Sequence, residues 1–153
     1  MSYTLKDGFC EMIAVSPEAR RGDVKANTDL KQGMAVVVVN SAGSAVANKA
    51  SGTGEYDVYF AKKYGRNEVN QLYAGNSIEA ITSGERFVCI GRGSTISIDQ
   101  YVGAIGDYDI GDYLEIGTSG NAGLVTNYNS TPVGDPVAVV VGKDYNKLII
   151  KVL

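Results

Sequence analysis

The sequence predicts an all-β fold: a single compact β-barrel or β-sandwich that spans residues 1–153, with an N-terminal arm or edge strand in residues 1–15 and at most one or two short helices. Two observations indicate this class. Short apolar or alternating segments recur along the chain, and turn signals separate them about every 8–12 residues, a spacing typical of sandwiches and barrels and not of βαβ units. The composition agrees, because the chain has 19 glycines and 10 tyrosines but only 3 prolines. A chain of this length can bury a core of its own.

The C-terminal third has the pattern of a β-meander. Tyr113–Ile116 alternates apolar and polar side chains, which indicates a half-buried strand, and the glycines of Thr118–Gly123 predict the turn that follows. Val137–Val141 is apolar at every position, so it predicts a strand that is covered on both faces. Lys147–Leu153 alternates again and predicts a closing core strand.

The N-terminal half contains a second apolar run, Met34–Val39, which predicts a central strand and continues into a hairpin that reaches Val46. Before it, Phe9–Val15 predicts a strand, and Ser16–Gly22 predicts one helical turn because proline follows a capping serine. The overlapping triplet Arg21-Gly22-Asp23 matches a cell-adhesion motif, but so short a motif favours an exposed turn. The Ser/Gly/Asn-rich segment Ala47–Gly54 predicts a surface loop.

The middle of the chain predicts further strands separated by glycine. They lie at Tyr56–Phe60, Ile78–Ile81, Arg86–Ile90 and Ser94–Ile98. Arg66–Gly75 has helical spacing of apolar residues and predicts either a short helix or an irregular loop.

Composition limits the classes of partner. The net charge is −3 and no dense run of Lys and Arg occurs, which argues against binding to nucleic acid. No segment approaches the ~20 apolar residues that span a membrane, and the N-terminus lacks the apolar core of a signal peptide, so we expect a protein made in the cytosol. Cys10 and Cys89 lie in strand-like runs, where buried free thiols are expected; a disulfide or a reactive thiol is the alternative.

Few residues predict catalysis. The chain contains no His, which removes His-based triads, His metal sites and the usual general base near neutral pH. We therefore expect no enzyme and no cofactor. Asp107, Asp109 and Asp112 are predicted to be turn-forming aspartates, with a Ca²⁺ site as the alternative. A carboxylate pair for glycoside hydrolysis, Asp99 with Asp107 or Glu115, is a further alternative that the spacing does not support.

Two segments together carry a family resemblance. Asp109–Thr126 gives a Gly-Asp turn, a strand, a Gly/Asn turn and a Val-Thr strand, and Pro132–Val152 adds a valine strand and a last aliphatic strand. This order resembles the small β-barrel decoration, or cement, proteins of tailed-phage capsids. The likeness covers the C-terminal third strongly and the Met34–Val46 hairpin weakly.

The resemblance implies a structural virion protein that is made in the host cytoplasm and stabilises the outer capsid surface by bridging subunits of the major capsid protein, as a homo-oligomer with a trimer favoured. Its contacts are expected in Ser2–Val15, in Ala47–Gly54 and among the tyrosines, since tyrosine is common at protein interfaces. The specific candidates for capsid or subunit contacts are Tyr3, Leu5, Phe9, Tyr56, Tyr59, Tyr108 and Tyr113. The alternative functions are a carbohydrate-binding or adhesin-like domain of a phage fibre or cell surface, and a carboxylate-only enzyme.

Overall fold

A computed structural model describes residues 8–52, 57–63, 80–129 and 135–153 of the chain. Within these ranges the chain forms β-strands and three isolated turns of 3₁₀-helix, Pro17–Ala19, Ile105–Asp107 and Ser119–Asn121, and it forms no α-helix. The predicted all-β class is confirmed. The strands are β1 (Cys10–Ala14), β2 (Arg20–Ala26), β3 (Leu30–Lys31), β4 (Ala35–Ser41), β5 (Ser44–Lys49), β6 (Val58–Lys63), β7 (Ala80–Ile81), β8 (Arg86–Ile90), β9 (Thr95–Ile98), β10 (Tyr113–Ile116), β11 (Val125–Asn127), β12 (Ala138–Asp144) and β13 (Lys147–Val152).

Five strands close into a barrel in the order β2-β5-β4-β6-β8. The pairs are antiparallel except β2 with β5, which run parallel, and β8 closes the barrel by pairing with β2. The register between β2 and β8 shifts between Arg21 and Val24. A small two-stranded sheet, β3 with β7, accompanies the barrel.

The predicted hairpin at Met34–Val46 is present as β4 and β5. Its two-residue turn is Ala42-Gly43, with φ of 51° and 84°, the left-handed pair that matches the twist of a tight hairpin. The loop predicted at Ala47–Gly54 is wrong for its first three residues, which belong to β5, while 53–54 lie outside the described residues. Ala47 and Ala50 are fully buried, so this part of the segment packs in the interior although its Ser, Gly and Asn content suggested a surface loop.

The second layer is a six-stranded sheet in the order β1-β9-β13-β12-β10-β11, in which the described pairs are antiparallel. One hydrophobic core fills the barrel, and a second core joins the barrel's outer wall to this sheet. Strand β6 shows the division: Phe60 belongs to the core shared with the sheet, and its neighbour Ala61 belongs to the core inside the barrel. Side chains of alternate residues therefore point into different cores.

The C-terminal strands follow the predicted order with one correction. In β13, Leu148, Ile150 and Val152 are buried while Lys151 is exposed, as the alternation predicts. The valine run that forms β12 is covered on one face only, because Val141 is 44% exposed and the strand bulges between Val140 and Gly142. The prediction of burial on both faces is wrong here, since no layer among the described residues covers the sheet's other face.

The first described residues tie the sheet to the barrel. The buried carboxylate of Asp99, after β9, accepts hydrogen bonds from the backbone N–H groups of Gly8 (3.1 Å) and Phe9 (2.8 Å). Lys62, on the barrel strand β6, donates from Nζ to the carbonyl oxygen of Cys10 at 2.8 Å. Strand β1 then forms an edge of the six-stranded sheet. The segment is thus held by both layers at once.

We predict that Gly33→Ala destabilises the protein more than the matched change Gly84→Ala. Both glycines have left-handed backbones, with φ of 87° and 89°, so both variants lose about 1–2 kcal/mol to backbone strain. A Cβ at Gly84 meets no atom within 4 Å, whereas one at Gly33 would overlap the carbonyl oxygen of Phe9. The overlap adds about 1–3 kcal/mol.

The measurement is the free energy of unfolding in urea for both variants. Equal losses for Gly33→Ala and Gly84→Ala would contradict the close docking of the Phe9 backbone on the barrel.

Candidate functional site

The structure disperses the residues predicted as contacts and does not gather them into one site. Phe9 is half-buried, with the Nζ of Lys147 4.2 Å from its ring centroid. Tyr59 is half-buried near the start of β6, and Tyr113 is 54% exposed on β10. Three of the predicted residues lie outside the described part of the chain: Tyr3, Leu5 and Tyr56.

Tyr108 is a core residue, which contradicts its predicted place on a contact surface. It is 1% exposed, packs edge-on against Tyr101 with ring centroids 5.5 Å apart, and donates from its hydroxyl to the carbonyl oxygen of Val102 at 2.5 Å. Burial raises the pKa of Tyr108 to about 12. The sequence placed this residue beside turn-forming aspartates, so its local context indicated exposure although the ring fills the core.

An apolar surface lies on the side of the six-stranded sheet that faces away from the barrel. We define this outer face by four side chains that belong to neither core: Tyr113, Val139, Val141 and Ile149. Tyr113 lies directly opposite Val139, and Val139 lies opposite Lys151, so the apolar residues are followed by a lysine on the next strand. Tyr113 and Val141 are 54% and 44% exposed. The outer face therefore presents apolar area with a cationic border.

A second surface feature is a cleft of about 270 Å³ that we name the arginine cleft. The residues of its wall that matter here are Arg20, Arg21, Asp57, Tyr59, Gly91 and Arg92. They come from β2, from β6 and the residue before it, and from the turn after β8. Pairing of Arg20 with Ile90 across β2 and β8 brings the two arginine-bearing segments together.

Arg21 is fixed by two neighbours. Its Nε and Nη2 donate to the two carboxylate oxygens of Asp23 at 2.9 and 2.8 Å, and its guanidinium carbon lies 6.0 Å from the ring centroid of Tyr59. The hydrogen bonds from Arg21 lower the pKa of Asp23 to about 2. The exposed turn predicted for Arg21-Gly22-Asp23 is wrong, because these residues lie within β2 and the two charged side chains bind each other.

Tyr59 packs directly against the backbone at Gly91. A Cβ at Gly91 would lie 3.0 Å from the Tyr59 ring, so a larger residue there would require the ring to shift by a few tenths of an ångström. The Gly91 N–H donates to the carbonyl oxygen of Ala19 at 2.7 Å and ties the turn after β8 to the start of β2. Local sequence patterns do not predict this cleft, because its three segments are separated from each other by 30 or more positions and only the barrel pairing joins them.

Two of the three predicted turn aspartates, Asp107 and Asp112, accept backbone hydrogen bonds within turns. Asp107 accepts a hydrogen bond from the backbone N–H of Ala104 at 3.0 Å, and Asp112 accepts one from the N–H of Asp109 at 2.9 Å. Both carboxylates therefore close local turns, which is the predicted interpretation. Among the described residues no group of three His, Cys, Asp or Glu side chains is arranged to hold a metal ion. The alternative pair of Asp99 with Asp107 or Glu115 gains no support, since Asp99 binds the backbone of Gly8 and Phe9.

Cys10 and Cys89 are buried and unpaired, as the sequence predicts. Burial raises the pKa of each thiol to about 12. Thiolate is the nucleophilic form of cysteine, so neither side chain is a nucleophile at neutral pH in the folded protein.

With the fold and these surfaces described, the comparison with known proteins adds no family. No protein-family model matches the chain, and no curated protein matches it. Among the described residues, no helix has the length and apolarity needed to cross a membrane.

We predict that Arg21→Ala raises the pKa of Asp23 from about 2 towards its ordinary value of 3.8. In the native protein the folded-state pKa is depressed, so the ion pair contributes its stability above about pH 4 and loses it as the pH falls towards 2. The contribution is below about 1 kcal/mol, because both side chains are exposed to solvent. Carboxyl NMR titration measures the pKa directly.

Arg92→Ala is the matched control, since Arg92 bonds Asp57 and not Asp23. The prediction is contradicted if Asp23 titrates at the same pH with and without Arg21.

We also predict that neither thiol of the native protein reacts readily with a disulfide reagent at pH 8. Both groups must become exposed before they ionise, so labelling should be at least about a hundredfold slower than in the unfolded chain. Absorbance of the released thiolate measures the rate, and the same reaction in guanidinium chloride should label both cysteines. Rapid labelling of the native protein would show that one thiol is accessible.

Proposed function

We propose that the protein is a structural protein that adheres to other proteins and does not catalyse, and more specifically that it decorates the outer surface of a tailed-phage capsid by bridging major capsid subunits. In this proposal the chain is made in the host cytoplasm and docks on the assembled shell as a homo-oligomer, with a trimer favoured. It needs no cofactor, nucleic acid or membrane for this role.

The observation that carries the proposal is the outer face of the six-stranded sheet. Apolar side chains that remain in water lose the stabilisation that burial would give, and tyrosine in particular supplies contact area at low entropic cost. Tyr113 offers such area beside Val139 and Val141. The lysine border adds charge that can orient an acidic partner surface.

The resemblance supports the specific form of the proposal. The segments that resemble capsid decoration proteins form β10 to β13, and these four strands are contiguous in the six-stranded sheet, in the order β13-β12-β10-β11. Every residue of the outer face lies on one of them. The part of the chain that resembles the family is thus the part that presents the exposed apolar surface.

The chemistry of the described residues supports adhesion over catalysis. The sequence contains no His, and the two thiols are held protonated by burial. The carboxylates of Asp107 and Asp112 each accept a backbone hydrogen bond within a turn.

Adhesion alone is a sufficient mechanism for stabilising a capsid. A protein that binds the assembled shell and not its separated subunits shifts the assembly equilibrium towards the shell by mass action, and the effect grows with its concentration over its dissociation constant. Such a mechanism requires a rigid body with complementary surfaces and no reactive group.

We predict that Tyr113→Ser weakens attachment of the protein to capsid particles by about tenfold or more, because a tyrosine at the centre of an interface typically contributes at least ~1.4 kcal/mol. Capsid particles are first stripped of the protein and then mixed with a dilution series of it. The measurement is the fraction of the added protein that cosediments with the particles. The first requirement is that mass spectrometry detects the chain in purified virions.

Tyr145→Ser is the matched control, since Tyr145 is 91% exposed in the turn between β12 and β13 and lies outside the outer face. Neither variant should change the melting temperature. Absence of the chain from virions refutes the capsid role, and equal attachment of both variants refutes the use of the outer face.

A further inference from the structure

The arginine cleft contains cationic groups that the fold does not use. Arg20 is exposed and its side chain makes no hydrogen bond or ion pair among the described residues. Arg92 has one contact, 3.2 Å from its Nη2 to the carboxylate of Asp57, and the two side chains are 73% and 70% exposed. An ion pair so exposed contributes little to stability, so a ligand can displace it at little cost.

The other charged groups of the cleft do not neutralise Arg20. Asp23, which is not part of the cleft wall, accepts hydrogen bonds from Nε and Nη2 of Arg21. Glu18 lines the cleft, and its lowered pKa results from hydrogen bonds with its own backbone and with Ser16 and not from an arginine. Among the described residues Arg20 therefore has no partner for its guanidinium, whose five N–H donors match a carboxylate in a two-bond geometry.

The wall of the cleft is pre-arranged. Arg21 holds the edge of the site through Asp23, Tyr59 packs against Gly91, and the Gly91 N–H anchors the turn that carries Arg92. A site that is already ordered binds with a smaller loss of conformational entropy than one that must form. Val58 and Tyr59 add apolar contact for the methylene groups of a side chain.

We propose that the arginine cleft binds carboxylate side chains of an acidic polypeptide segment, with Arg20 and Arg92 as the two anchoring groups. A polyphosphate such as nucleic acid is disfavoured by the net charge of −3 and by the carboxylates of Glu18 and Asp57 in the same cleft. An extended peptide with one or two carboxylates brings less negative charge into the cleft and is compatible with its mixture of arginines and carboxylates. The inference rests on the proposed function, for which it names the chemistry of a partner surface.

The test uses the full chain and a synthetic probe, an acetylated and amidated peptide of six alternating glutamate and glycine residues. NMR titration at low salt should shift the Arg20 and Arg92 side-chain signals and the Gly91 amide. Arg20→Ala and Arg92→Ala should each weaken binding about fivefold, and the double variant should abolish it. Arg86→Ala is the control, because Arg86 is an exposed arginine of β8 outside the cleft.

Two further probes and a charge reversal complete the test. A glutamine-glycine peptide should not bind, and the doubly reversed variant Arg20→Glu, Arg92→Glu should bind a lysine-glycine peptide instead. Equal binding of the glutamine peptide, equal weakening by Arg86→Ala, or tighter binding of inorganic phosphate at the same residues overturns the proposal. Failure here with intact attachment to particles refutes the acidic-peptide site alone, whereas absence of the chain from virions refutes the capsid role.

Discussion

The structure depends on a barrel wall that is buried on both of its sides. Strands β4, β6 and β8 have the barrel interior on one side and the six-stranded sheet on the other, so the side chains on both faces in the middle of these strands are buried or half-buried. On β8, Phe87 fills the barrel and Ile90 fills the core shared with the sheet. Truncating a buried Phe or Ile to alanine typically costs about 2–5 kcal/mol, so a single residue on either face carries a large fraction of the roughly 5–15 kcal/mol net stability of a domain.

The two layers are joined by polar contacts as well as by the shared core. A buried carboxylate is costly unless donors satisfy it, and Asp99 receives two backbone N–H groups and the side-chain amide of Gln100 at 3.0 Å. Its partners are the residues that lead into β1, whose Cys10 carbonyl is bound by Lys62 of the barrel. The contact therefore fixes the position of β1 relative to both layers, which a non-directional apolar core would leave less well defined.

Sequence patterns predicted the elements whose signals are local. The alternation of β13 and the Ala42-Gly43 turn of the first hairpin depend on residues within a few positions of each other, and both are present. Patterns did not predict burial where burial depends on whether a second layer of the structure covers the residue. The valines of β12 look like those of β4, yet only β4 has a layer on both sides, and Tyr108 is buried because Tyr101 and Val102 are brought back over it. The arginine cleft could not be predicted, since the register of β2 with β8 creates it.

The outer face and the arginine cleft lie on different layers of the fold. The outer face belongs to β10, β12 and β13 of the six-stranded sheet, whereas the arginine cleft is built on β2, β6 and the turn after β8 of the barrel. The surfaces share no residue, and the shared core with the Asp99 contacts holds their two layers together. In the proposed bridging role, a partner bound at one surface would be connected to a partner at the other through this packed interior. This is the mechanical requirement of a bridging protein, and it separates bridging from simple attachment, for which one surface would suffice.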